Sequence, residues 1–292
     1  ALKAAALHLQ TLPIAGVDLN VGCPAPKVYK GNVGGGLLRD LETLNAIIGT
    51  LREAVKPPFT FSIKFRLGFE APNIWPSVLE LLRKHGVDWT TVHFRTVSDG
   101  YRGAAHHHLL KEVVAASPCP VLINGDIHSA AQARELLAES GAWGASVGRG
   151  AIRYPWIFRR YNNPDLPPPT YADAFAYYQW ALKTCGRIGA AKGYLNFLGL
   201  GVEPTGKFLK LMRGVQKFEE LEGVGREWIA SRGNEIFPEE PYDRLYARPS
   251  MERPNPRKDP WLHDMRMLGL TPYNEIKSQI ATETKCGMMD KP

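Results

Sequence analysis

Five short stretches of the 292-residue chain carry side chains able to do chemistry: Asn20 and Cys23 in LNVGCPAP, Lys64 and Arg66 in FSIKFRL, His93 and Arg95 in VHFRT, Asn124, Gly125 and Asp126 in INGDI, and Gly148 with Arg149 in SVGRGA. Thiols, amines and imidazoles are the usual agents of proton transfer. An arginine between glycines suits a phosphate, because small neighbours let backbone N–H groups approach the same anion. Cys23 follows a β-branched run that Gly22 and Pro24 stop, which puts it just past the C-terminal end of a strand. In a parallel α/β protein that edge is where ligands bind. A free cysteine is also a common small buried hydrophobe; the flanking glycine and proline, which bare the backbone, favour a functional reading. Lys64 alternates with apolar neighbours. It either points into a barrel lumen, where it needs an anion or an acceptor, or snorkels at the strand end. His93 alone reads as a hydrogen-bonded core histidine.

A strand–helix rhythm spaces these stretches. Apolar, β-rich runs open near residues 17, 60, 89, 120 and 144, and helical patterns cover about 1–12, 38–55, 75–85, 107–116, 130–140 and 154–160. The pitch is close to the roughly 31 residues expected when about 250 residues make eight βα units. Such a repeat argues for a parallel sheet. Five strands would also suit an open doubly wound sheet, but there the phosphate loop follows the first strand. Here the phosphate-like turns, residues 124–127 and 148–151, follow the last two. The expected fold is therefore α/β, a (β/α)₈ TIM barrel lacking about its first three βα units, roughly 75–95 residues, followed by a small C-terminal helical domain. Residues 1–161 make the partial barrel, a Pro-rich linker follows, and 170–232 are helical. Residues 233–292, dense in proline and charge, read as an extended tail with a short terminal helix or two.

The 44% hydrophobic content allows a substantial core. Cys23, Cys119, Cys185 and Cys286 form no CxxC, so neither a disulfide framework nor a zinc site is expected, consistent with a reducing, cytoplasmic setting. No apolar run nears the roughly 18 residues of a membrane span. The net charge of +7 favours a polyanionic partner. A helix beginning near Thr205 would set Lys207, Lys210, Arg213 and Lys217 three or four residues apart beside an apolar face, either an ordinary solvated surface or an RNA grip. Gly34, Gly35 and Gly36 lack the GK[ST] of a phosphate loop and read as a flexible loop or a close backbone approach. His106, His107 and His108 read as a solvated helix start, because adjacent helical residues diverge and cannot readily share one metal; no metal is expected.

In order, LNVGCPAPKV, GGGLLRD, SIKFRLG, TVHFRTVSDGYRG, INGDI and VGRGAIRYPWIF resemble the tRNA-dihydrouridine synthases over about residues 17–158. EPTGKFLKLMRGV is similar to the C-terminal helical domain of that family. The resemblance implies an FMN-dependent TIM barrel that uses NADPH to reduce specific uridines in tRNA. It implies Cys23 as the general acid protonating C5 of the uracil while hydride from flavin N5 reaches C6. Lys64 and His93 would contact the isoalloxazine ring, and Asn124, Gly125, Asp126, Gly148 and Arg149 would hold the ribityl phosphate. Asn20 and Arg95 would face the target base, with Lys207, Lys210 and Arg213 on the RNA. The chemistry is coherent: hydride addition at C6 builds negative charge toward C5 and O4, a positioned acid quenches it, and the base must leave its stack to be reached. Phe94 departs from the small residue that family members commonly carry after the histidine. Expected partners are tRNA and NAD(P)H, with no membrane and no obligate protein partner. Two rival readings are another FMN barrel of the dihydroorotate dehydrogenase kind and a non-catalytic RNA-binding relative. The basic helical segment speaks against the first, and Cys23 together with Lys64 against the second.

Overall fold

A computed structural model describes residues 1–241; Cys286 and the rest of the expected tail from residue 242 onward lie outside the described residues. Alternation in TFSIKFR sets the two faces of the sheet. Phe61, Ile63 and Phe65 are fully buried on one side, which leaves Ser62, Lys64 and Arg66 for the other. The strand they form, β2 (Thr60–Arg66), lies between β1 (Gly16–Val21) and β3 (Trp89–His93), followed by β4 (Val121–Asn124) and β5 (Gly144–Ser146). All pairs are parallel and the order is β1-β2-β3-β4-β5. The order never reverses, unlike that of a doubly wound sheet.

Helices α1 (Leu2–Leu9), α2 (Pro26–Tyr29), α3 (Leu41–Ala54), α4 (Trp75–His85), α5 (Leu110–Ala116) and α6 (Ala130–Ser140) accompany the strands. Their boundaries have local causes. Asp40 accepts the Thr43 N–H at 3.0 Å to start α3, Ser129 accepts the Gln132 N–H to start α6, and Gly86, at φ +59°, turns the chain out of α4. The helix expected over 154–160 starts later, as α8 (Ile157–Asn162), and a separate α7 (Arg149–Arg153) precedes it, because Pro155 has no N–H to continue a helical ladder between them. Beyond them come α9 (Tyr171–Cys185), opened by a Thr170/Asp173 capping box, then α10 (Ile188–Leu198), α11 (Lys207–Gly214) and α12 (Phe218–Trp228). The helix expected to carry four basic residues thus ends at Gly214, and Lys217 is the N-cap of α12.

Two apolar clusters form. One gathers the helix-facing side of the sheet, with Phe61, Ile63, Phe65 and Ile123, against Leu44, Ile48, Leu79, Leu82 and Val113 from the flanking helices. The other gathers Tyr154, Tyr171, Tyr178, Leu195, Phe208, Met212 and Phe237. Phe237, expected in an extended tail, is fully buried, stacked on Tyr154 and edge-on to Trp156 and Tyr171. Burying such a ring contributes about 1.5–3 kcal/mol, enough to hold the start of that stretch in place. Glu239 adds a bond from the Ala130 N–H at 2.6 Å. No described helix is long and apolar enough to cross a membrane.

Candidate active site

Strand register decides which side chains meet. Asn20 is level with Lys64, and Arg66, His93, Asn124 and Ser146 form one row across four strands at their C-terminal ends. A cleft of about 370 Å³ opens there, lined by Asn20, Cys23, Lys64, Arg66, His93, Asn124, Gly125, Asp126, Gly148 and Arg149 together with Tyr101 and His128. Residues from all five strand ends therefore share one space.

The Cys23 loop is held from three sides. Asn20 Oδ1 accepts the Gly22 N–H at 2.9 Å, the buried Arg66 donates from Nε to the Gly22 carbonyl at 2.9 Å, and the Gly35 N–H donates to the Cys23 carbonyl at 3.1 Å. A Cβ on Gly35 would come within 2.7 Å of that carbonyl, so the glycine triplet is a close backbone approach. Arg66 Nη1 also donates to the carbonyls of Thr96 and Gly100, each at 2.7 Å, and its guanidinium lies 5.4 Å from the Tyr101 ring. Burial brings Arg66 down to about 10, still charged at neutral pH. Burial, reinforced by Arg66, also holds the Lys64 ammonium below the ordinary lysine range.

His93 is buried among cations. Desolvation first, then the charges of Arg66, Lys64, Arg95 and Arg149, push its imidazole far below the ordinary histidine range, so it is neutral at working pH. Its Nε2 lies 3.4 Å from Arg95 Nη1, and since a guanidinium only donates, Nε2 accepts and Nδ1 carries the proton. Arg95, expected to face a base, has another place. It is 1% exposed and lies outside the cleft lining, ion-paired with Asp126 and donating to the Gly103 carbonyl at 2.7 Å.

Asp126 is a junction. One carboxylate oxygen takes Arg95 and the Ala105 N–H at 2.9 Å; the other takes Arg149 at 3.4 Å. Burial alone would raise its pKa, but the Arg95 bond and charge outweigh that and hold it below the usual carboxylate range. The turn that presents it needs positive φ at Gly125 (+119°) and Asp126 (+49°), and a Cβ on Gly125 would meet His93 Cδ2 at 2.9 Å. Gly148 lines the cleft with nothing within 4 Å of its notional Cβ, which leaves its backbone reachable. Burial lowers the neighbouring His128 to about 4.

Three histidines that looked alike in sequence diverge: His106 pairs with Asp99 at 3.2 Å, His107 Nε2 lies 2.8 Å from the Gly125 carbonyl, and His108 is exposed. Among the described residues, no group of three or more His, Cys, Asp or Glu is placed to hold a metal. In the helical region, Lys207 and Lys210 are exposed, whereas Arg213 donates to Asn196 Oδ1 at 2.6 Å. Sequence reasoning assigned no role to Arg66, Tyr101 or His128. Alternation with Lys64 marks Arg66 as inward-facing, and His128 is two residues past Asp126. Tyr101 sits in a glycine-flanked loop with no periodicity to flag it.

A family model described as dihydrouridine synthase matches residues 1–191. Similar curated proteins include a probable tRNA-dihydrouridine synthase of Helicobacter pylori (strain ATCC 700392 / 26695), 40% identical over 154 residues that cover 51% of this chain and 45% of the relative. Another is tRNA-dihydrouridine synthase B of Xanthomonas axonopodis pv. citri (strain 306), 35% identical over 162 residues, covering 53% and 48%. The chain spans about half the length of the curated relatives it matches.

Proposed function

Because the chain belongs to the dihydrouridine synthase family, we propose that it acts in an FMN- and NADPH-dependent oxidoreductase that reduces the C5=C6 bond of specific uridines in tRNA. The observation that carries this reading is the meeting of Cys23, Lys64, His93 and Arg149 in one cleft at parallel strand ends. Family membership sets aside a dihydroorotate dehydrogenase-like enzyme. The five strands are read as strands four to eight of an eight-stranded barrel, supported by their unreversed order and by the glycine turns after β4 and β5. Residues 1–161 would be catalytic, 170–232 would grip tRNA, and 233–292 would follow as a tail. A tRNA substrate assigns the work to the cytoplasm.

The lining fits a phosphate-bearing flavin. Lys64, Arg66 and Arg149 face a single carboxylate, Asp126, whose charge Arg95 and Arg149 already engage, so the cleft carries excess positive charge. Asn124, Gly125, Asp126, Gly148 and Arg149 would hold the phosphate end, with Lys64 and neutral His93 at the ring. FMN held there and reduced by NADPH would supply the hydride for C6 of the uracil. Cys23 gives its thiol proton to C5, where charge develops, and Asn20 and Arg66 fix the loop that aims it. Arg95 supports this arrangement from behind, by orienting Asp126. The test is to purify the protein from its complete coding sequence, record visible flavin absorbance, and count dihydrouridine formed on an unmodified tRNA transcript with NADPH. A flavin-free protein, or one that forms no dihydrouridine, would sink the reading.

A further inference from the structure

A second depression, about 540 Å³, lies on the far helices and is lined by Lys207, Lys210, Leu211, Gly214, Val215 and Trp228. Its shape follows from how α11 is held. Phe208, Leu209 and Met212 anchor one face of that helix in the apolar cluster. At its start Glu203 Oε1 accepts the Phe208 N–H at 3.0 Å, and at its end Lys192 Nζ donates to the carbonyls of Arg213 (2.9 Å) and Val215. A helix clamped at both ends presents its outer face in one fixed pose. Leu211 is left 46% exposed there, and at Gly214 nothing stands within 4 Å of a notional Cβ.

The groove is therefore an apolar slot with two ammonium groups at its rim and no carboxylate among its six lining residues. A bare phosphate ladder would need only the lysines. An aliphatic and indole floor beside them matches a nucleotide, whose base seeks an apolar or aromatic face while its phosphates seek amines. Lys207 and Lys210, three apart on the helix, are close enough to serve neighbouring phosphates of one strand.

We propose that this groove seats one unpaired nucleotide of the substrate RNA, its base against Leu211 and Trp228 and its backbone on Lys207 and Lys210. The inference rests on the tRNA reading above and adds to it a place where a base, as well as a phosphate, is held. It separates stacking from charge in a measurable way. With the complete protein and an unmodified tRNA transcript, Leu211→Ala and Trp228→Leu should each weaken binding about ten-fold at every salt concentration, leaving the slope of log affinity against log salt unchanged. Lys210→Ala should weaken binding and reduce that slope by roughly 0.7–0.9. If Leu211→Ala and Trp228→Leu bind like the wild type while Lys210→Ala does not, the groove holds no base and this proposal falls alone. If the wild type fails to bind tRNA at all, the tRNA reading falls with it.

Discussion

The strand-end cleft and the α11 groove are both positively charged, but they differ in what water does for that charge. Arg66 in the cleft and Arg95 behind it are each 1% exposed, and the buried groups of the cleft are displaced: Lys64 and His93 downward, Arg66 to about 10, His128 to about 4. On α11, Lys207 and Lys210 stay in solvent. Desolvated groups must be tied to fixed partners, and that same fixing makes them useful for proton transfer at a defined atom. Solvated lysines trade that precision for reach and for interactions that salt can screen. On the proposed function, one fold keeps its chemistry where strands converge and its electrostatic grip on an exposed helix.

The contrast yields a graded series of expectations. The largest effect should come from Cys23→Ala in the complete protein: a fall of about 10²–10⁴-fold in dihydrouridine formation, the range for losing a positioned acid, with little change in the urea midpoint because the side chain is only half-buried. Near-normal turnover in that variant would take the acid role from Cys23. Next is Arg66→Met, which leaves the carbonyls of Gly22, Thr96 and Gly100 without their donor and should cost about 3 kcal/mol by urea unfolding. The same variant should alter the alkylation rate of Cys23, since the loop loses one of its three ties; an unchanged rate would show that the loop holds without Arg66.

Burial of its histidines also gives the cleft a pH dependence that the α11 face should lack. His93 and His128 take no proton in the folded cleft near neutrality, whereas unfolded imidazoles titrate near 6.5. Unfolding therefore takes up protons below about pH 6.5, and stability falls as pH drops through that point, by up to about 1.4 kcal/mol per pH unit for each histidine. The His128 contribution levels off below about 4, and above about 7 neither histidine contributes. Urea midpoints between pH 7.5 and 4.5 measure the slope, and His128→Gln should remove about half of it. The smallest effect belongs to Lys207→Ala, which should leave stability within about 0.5 kcal/mol, as for other solvated positions. A larger loss would mean the lysine has a structural partner.

Much of this architecture is legible in local pattern. The βα rhythm, the buried alternation of Phe61, Ile63 and Phe65, and the placement of Cys23, Lys64, His93 and Gly148 near C-terminal strand ends all follow from periodicity and from residues that stop strands. Pro155 foretells the gap before α8, whereas Gly148 and Gly150 read as a turn and concealed α7. Likewise the basic spacing from Lys207 to Lys217 reads as one helix, although tertiary packing ends that helix at Gly214 and turns Arg213 toward Asn196.

A chain's own order of residues settles which face of a strand a side chain takes and which strand end it occupies, because both depend on neighbours one or two positions away. It does not settle which distant group that side chain will meet. Arg95 and Arg149 look equivalent at their strand ends, but Asp126 draws Arg95 into the interior and leaves Arg149 on the cleft wall. Arg66 against Gly22 and Phe237 beneath Tyr154 join segments far apart in the chain. Each such contact is chosen by register and by the need to satisfy buried polar groups, conditions that exist only once the sheet has assembled.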